Sequence, residues 1–263
     1  MPSKQGKLVF IGLGLHDEDG ITVRGQKEIE QADAVFAELY TSSLREGSLS
    51  RLGKRVGKRI ELLDRAALEA GDHLLELCRT KRVALLVPGD SMAATTHVEL
   101  RLRAIAQGTE TSVVQGVSIL AAVPGLLGLQ HYKFGRAVTL PIPQEGYSPT
   151  SPYELIADNL SRGLHTLVLL DIDVENERYM TANQGLALLL DMGRRMERQD
   201  ISQDTLVCVV ARAGAPDCVV RAGKLGDLSS LDFGPPLHTI AIPGALHFME
   251  TDALKVLAGL KDK

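Results

Sequence analysis

The chain predicts an α/β protein, on three observations. Short apolar runs rich in Val, Leu, Ile and Phe alternate with longer stretches of helical period, the order that builds helices onto a largely parallel sheet. Two of those runs end in a glycine turn, Gly12-Leu13-Gly14 and Pro88-Gly89-Asp90. A length of 263 residues with 44% hydrophobic and 24% charged residues supplies a sizeable core, enough for one large domain or two of ordinary size.

In chain order, Lys7 to Ile11 reads as the first strand, a helix opens at Thr22 and runs to about Ala32, and Ala34 to Ala37 is the next strand. A Ser- and Arg-rich loop follows, then a helix from about Ala66 to Cys78. Val83 to Val87 has no polar residue and reads as a strand buried on both faces. Thr96-His97-Val98-Glu99 has the form of a capping box, so a helix is expected from His97 to about Ala106. Thr111 to Val114 is a short strand and Val117 to about Leu127 is helical. A strand near Ala137 to Leu140 leads into PIPQEGYSPTSP, whose prolines argue against regular structure. Helices from about Tyr153 to Arg162 and from Ala182 to Arg198 flank the strand Thr166 to Leu170. Leu206 to Val210, Cys218 to Val220 and His238 to Ile242 complete the strands. Composition alone divides the chain in the proline-rich loop, near residues 140 to 152.

The formal charge of −4 and the lack of any basic cluster beyond Lys54-Arg55 and Lys58-Arg59 argue against a nucleic-acid partner. Cys78, Cys208 and Cys218 are odd in number, scattered and without metal-ligand spacing, as expected of reduced thiols in the cytoplasm. No apolar run is long enough to span a membrane, and the N-terminus lacks the features of a signal peptide.

Glycine at a strand end lets the backbone turn tightly and approach a ligand at the carboxyl edge of a sheet. Gly12-Leu13-Gly14 fits that use and also fits a plain turn. It lacks the third glycine of a dinucleotide fingerprint, and Asp17, Glu18 and Asp19 would repel a pyrophosphate. Asp90 can accept a hydrogen bond from a ribose or an ammonium group, or bond its own turn.

Read together, IGLGLHDEDGITVRGQKEIEQADAVFAE and PGDSMAATTH resemble the hallmarks of the tetrapyrrole-methylase-like, S-adenosylmethionine-dependent methyltransferases, with Ser91 where the second pattern usually has proline. FAELYTS, ATTHVELRLRA, YKFGRAVTL, RGLHTLVLLDI, ERYMTAN, LVCVVARAG and PPLHTIAIPGALH extend the likeness across nearly the whole chain. They resemble the branch of the family that methylates a modified histidine of elongation factor 2. The resemblance implies two α/β domains, residues 1–115 and 116–263, with the cofactor folded in the cleft between them. It also implies S-adenosylmethionine contacts at Leu15, Asp90, Ala93, Ser118, Ile119, Leu170, Ala213 and His238, no metal, and a homodimer.

Each of those residues has a second reading. Leu15, Ala93, Ile119, Leu170 and Ala213 are types commonly buried for packing, Ser118 can bond an early-helix amide, and His238 can be a structural histidine. The implied reaction is repeated N-methylation of the amino group of 2-(3-amino-3-carboxypropyl)histidine. A proton must leave that amine first; Asp171, Tyr40, His97 and Tyr132 are open candidates for the base, and no residue is assigned as catalytic. The loops Thr41 to Gly53 and Pro143 to Pro152 are expected to form a rim that docks the protein substrate. A methyltransferase of the same fold acting on a corrin or porphyrin precursor, and a non-catalytic nucleotide-binding module, are the other readings.

Overall fold

The computed structural model describes residues 6–174 and 176–261. The chain divides into two compact units, Met1–Ile119 and Leu120–Lys263.

The first unit is built on five parallel strands, β1 (Lys7–Gly12), β2 (Ala34–Ala37), β3 (Ile60–Leu62), β4 (Arg82–Val87) and β5 (Glu110–Val114), in the order β3-β2-β4-β1-β5. The absence of polar residues in the central runs is explained by helices on both faces. Successive side chains of a strand point to opposite faces. Leu8, Phe10, Val83 and Leu85 therefore meet the helices Arg65–Ala70, Asp72–Leu77 and His97–Ala106 through Leu68, Leu74 and Leu100. Val9, Ile11, Ala84 and Leu86 meet the helices Val23–Gln31 and Ser48–Val56 through Ile29, Leu52 and Val56. Each such Leu or Ile, fully buried, contributes about 1.5–3 kcal/mol.

Two local expectations fail here for physical reasons. The helix expected from Ala66 to Cys78 is two helices, because Gly71 takes φ +68°, a left-handed conformation that ends the first. Thr96 is not extended (φ −96°, ψ 3°) and makes no side-chain cap; instead the Thr95 hydroxyl accepts from His97 N at 3.4 Å. The supposed loop Thr41 to Gly53 also contains most of the helix Ser48–Val56, whose inward Ser48, Leu52 and Val56 are buried.

The second unit holds β6 (Val138–Leu140), β7 (Thr166–Leu170), β8 (Ile172–Asp173), β9 (Arg178–Tyr179), β10 (Leu206–Ala211), β11 (Val219–Lys224) and β12 (His238–Ile242). β8 and β9 form a small hairpin, and the others form a sheet in the order β11-β10-β12-β7-β6. The expectation of a largely parallel sheet is wrong for this unit. Only β6 and β7 run parallel, while β12 is antiparallel to both neighbours and β10 is antiparallel to β11. Residues 212–218 are too short a connection for a parallel crossover, so β10 and β11 fold as a hairpin. Helices Ser151–Ser161 and Ala182–Arg195 cover this sheet through Tyr153, Ile156, Leu186 and Leu189. Pro152, expected to exclude helix, lies in its first turn, where a missing N–H is harmless. Thr181 and Gln184 form a true capping box.

The last helix, Phe248–Ala258, is anchored by a buried carboxylate. Glu250 accepts from Gln130 N at 2.8 Å, His165 Nε2 at 2.9 Å, His247 N at 2.8 Å and the Lys133 ammonium. Gly244 N donates to His165 Nδ1 at 2.9 Å, which leaves the ring proton on Nε2, facing Glu250. Burial opposes ionisation of Glu250, yet the His247 amide and Lys133 hold it down at about 2. Burial also pushes the His165 imidazole down. Both groups bind fewer protons folded than unfolded, so both contribute stability that is present above their unfolded values and lost as pH falls. Thermal unfolding is expected to show stability falling as pH drops below about 6.5 and falling further toward pH 2. Glu250→Gln should lower stability by about 3 kcal/mol at neutral pH and flatten the acid limb; an unchanged acid limb would refute this account.

Candidate functional site

β4, β1 and β5 are adjacent, so their carboxyl ends bring three loops together. Gly14 and Gly89 form a bridge, with Gly14 N donating to Gly89 O at 3.1 Å and Gly89 N donating to Gly14 O at 2.8 Å. A Cβ on Gly12 would lie 2.5 Å from Gly116 N and 2.6 Å from Gly89 O, and one on Gly116 would run into Gly89 O. The backbones touch because no side chain separates them. Both motif glycines thus share one edge, and Gly116 completes it.

Asp90 serves its own turn and a neighbour. Its Oδ1 accepts from Met92 N at 2.9 Å and its Oδ2 from Gly116 N at 3.2 Å, so it ties the β4 loop to the β5 loop. Leu15, Ala93, Ser118 and Ile119 are all half-buried along this edge: Leu15 follows the Gly14 bridge, Ala93 lies in the Asp90 turn, and Ser118 and Ile119 open the helix Ile119–Leu127.

In the second unit, Leu170 ends β7, Ala213 lies just past β10, and His238 begins β12 between those two strands. Ala211 is opposite His238 and Leu169 opposite Thr239, so the three positions share one edge of that sheet. His238 is buried, and burial pushes its imidazole down, toward the neutral form. Its Nδ1 accepts from Ala182 N at 3.1 Å and its Nε2 donates to Pro235 O at 3.0 Å. Both ring nitrogens are engaged within the fold, so its side chain is structural. Arg212, not singled out from the sequence, supports the same edge. It takes φ +53°, and its guanidinium donates to Phe233 O at 2.6 Å, Pro235 O at 2.8 Å and Asp217 Oδ2 at 2.7 Å.

The four candidate bases differ in availability. Asp171 accepts from Ile172 N at 3.0 Å on one oxygen and Ile142 N at 2.9 Å on the other, the pattern of a loop tie. Tyr132 is 78% exposed. Tyr40 is half-buried, and burial, followed by the nearby acidic Glu38, pushes its phenol up. His97 is buried beside Glu38, a residue that the sequence alone did not single out.

Residues 7–229 match the Tetrapyrrole (Corrin/Porphyrin) Methylases, and the chain belongs to that family. Within it, the chain is similar to diphthine synthases. It is 46% identical over 252 residues to the diphthine synthase of Methanothermobacter thermautotrophicus, covering 96% of each chain. It is 46% identical over 253 residues to that of Methanocaldococcus jannaschii, covering 95% of this chain and 98% of the relative. A crystal structure of diphthine synthase matches with a TM-score of 0.88 at 36% identity, over 97% of both chains.

Asp90→Ala would leave the Met92 and Gly116 amides without their acceptor. Denaturant unfolding is expected to show a loss of about 1–3 kcal/mol, with faster hydrogen exchange at those two amides. Protection equal to the wild type at both would rule out the tie between loops.

Proposed function

We propose that this chain is a diphthine synthase that uses S-adenosyl-L-methionine to methylate, repeatedly, the amino group of 2-(3-amino-3-carboxypropyl)histidine on elongation factor 2. The observation that carries this reading is the near-full-length identity to diphthine synthases, joined to a glycine-lined strand edge that suits the cofactor. A Cβ on Gly89 would meet nothing closer than Val117 O at 3.9 Å, so the outer side of this backbone is an open cradle. Asp90 keeps lone pairs beyond the two that accept from Met92 N and Gly116 N. Leu15, Ala93, Ser118 and Ile119 on the first unit, with Leu170, Ala213 and the main chain of His238 on the second, are the proposed cofactor contacts. The domain boundary at Gly116 belongs to the same reading.

Bound there, S-adenosylmethionine supplies a methyl group already activated by its sulfonium. The chain's own task is to hold the amine in line with that methyl and to exclude water. The amine is largely protonated near neutral pH, and a proton must leave before each early transfer. A corrin or porphyrin substrate would bring many carboxylates, for which the sequence offers no large basic cluster.

The protein substrate is taken to dock on the segments Thr41 to Gly47 and Pro143 to Thr150, and its role in translation places the enzyme in the cytoplasm. Among the described residues no helix is long and apolar enough to cross a membrane. A homodimer is supported by Val98, Leu102 and Ile105, which lie at i, i+4 and i+7 on one helix and are 55%, 61% and 50% exposed.

Incubation with labelled S-adenosylmethionine is expected to label elongation factor 2 carrying the aminocarboxypropyl histidine and not the unmodified protein, with mass gains of successive methyl groups. Transfer to a tetrapyrrole precursor instead would overturn the substrate. Sedimentation should show a dimer at micromolar concentration that Leu102→Glu weakens; a wild-type monomer would defeat the dimer.

A further inference from the structure

Among the described residues, three buried side-chain polar atoms have no hydrogen-bond partner: Arg82 Nε, Ser91 Oγ and His97 Nε2. Two of the three belong to residues bonded to each other at the β4 loop. His97 is 2% exposed, and its Nδ1 lies 3.3 Å from Ser91 O. A carbonyl only accepts, so Nδ1 carries the proton and, in the neutral ring, Nε2 is a bare lone pair.

That lone pair faces Oε1 of Glu38 at 3.8 Å. Glu38 follows β2 directly, is fully buried, and accepts from Thr41 N at 3.0 Å and from the Thr41 hydroxyl. A lone pair and a carboxylate oxygen facing each other away from water repel; one proton between them turns the contact into an attraction. Burial pushes the Glu38 carboxyl up and the His97 imidazole down, which favours the arrangement in which both are neutral.

We propose that the Glu38 carboxyl carries a proton directed at His97 Nε2, one that forms a hydrogen bond when the 3.8 Å gap between them closes, and that this proton holds the loop Pro88–Ala93 by fixing the imidazole tautomer that donates to Ser91 O. The Thr95 hydroxyl donates to the same carbonyl at 3.3 Å. Ser91 is one residue from Asp90 and two from Ala93, so Glu38 and His97 are positioning residues for that loop. Their functional role rests on the reading of the loop as a cofactor site. The other titratable or charged groups nearby are Asp90 on the loop itself, Tyr40, Glu69, Glu99 and Arg103 around the recess that reaches His97, Arg65 beside Tyr40, and His73 against Phe36.

Glutamine at position 38 separates the alternatives, because its amide donates to Nε2 at every pH, whereas leucine donates at none. Nitrogen-15 spectra of the histidine-labelled full chain should show His97 neutral, with its proton on Nδ1 and Nε2 accepting, in the wild type and Glu38→Gln, and should lose the accepting signature in Glu38→Leu. Calorimetry with S-adenosylhomocysteine should show wild-type affinity falling about tenfold as pH is raised through the ionisation of Glu38. Glu38→Gln should be flat with pH, and Glu38→Leu about tenfold weaker throughout, the size of one hydrogen bond. Identical affinity and pH dependence in the wild type and Glu38→Gln overturn the proposal, as does a wild-type His97 with its proton on Nε2. If the wild type binds no S-adenosylhomocysteine, the reading of the loop fails and the positioning role with it, while the spectra still decide whether Glu38 directs a proton at Nε2.

Discussion

The structure of the first unit depends on the contact of three backbones at the carboxyl ends of β4, β1 and β5. Adjacent parallel strands lie about 4.8 Å apart, and loops leaving three of them on one side can interlock only where side chains are absent. Gly12, Gly89 and Gly116 meet that condition, and a Cβ on Gly12 or Gly116 would meet backbone atoms of the others. Asp90 then fastens what the glycines allow, with one oxygen on its own turn and the other on Gly116 N. This explains why hydrophobic strands end abruptly in small and polar residues: the strands supply rigidity, and their ends supply exposed main chain.

Buried polar groups at both sheets follow one rule, that a charge or ring nitrogen removed from water must find a partner. In the second unit the rule is obeyed by Glu250, whose oxygens take two amides, an imidazole and an ammonium. His238 obeys it with both ring nitrogens, which moves any contact of this residue with a ligand to its main chain. Among the described residues three buried atoms break the rule, Arg82 Nε at the start of β4 and, together at the β4 loop, Ser91 Oγ and His97 Nε2. Unpaired buried groups are tolerated where something besides stability is gained, and this pair borders the loop that carries Asp90 and Ala93.

The two sheets also show how connection length decides strand direction. Where helices separate the strands, as in the first unit, every pairing is parallel. The short connection after β10 forces an antiparallel partner, and β12 is inserted between β10 and β7 antiparallel to both. The result still gathers Leu170, Ala213 and His238 at one edge, because the start of an antiparallel strand lies beside the ends of its neighbours.

The amino-acid sequence by itself determined most strands of the two sheets, to the residue for Ala34 to Ala37, Thr166 to Leu170 and His238 to Ile242, because buried β-runs bounded by turn residues carry their limits locally; the three-residue edge strand β3 and the two-residue strands β8 and β9 are too short to carry such a pattern. It also determined the two glycine loops and, through likeness, the family. The helix Ser48–Val56 had a signal in the spacing of Leu49, Leu52 and Val56, masked by the surrounding Ser, Gly and Arg. Only the tertiary structure decided what Asp90 and His238 do with their polar atoms, that Thr95 rather than Thr96 serves the helix start, and that Glu38 lies against His97. Those outcomes depend on partners 26, 56 and 59 residues away in the chain for Asp90, His238 and Glu38, or on a backbone angle, and a linear pattern carries neither.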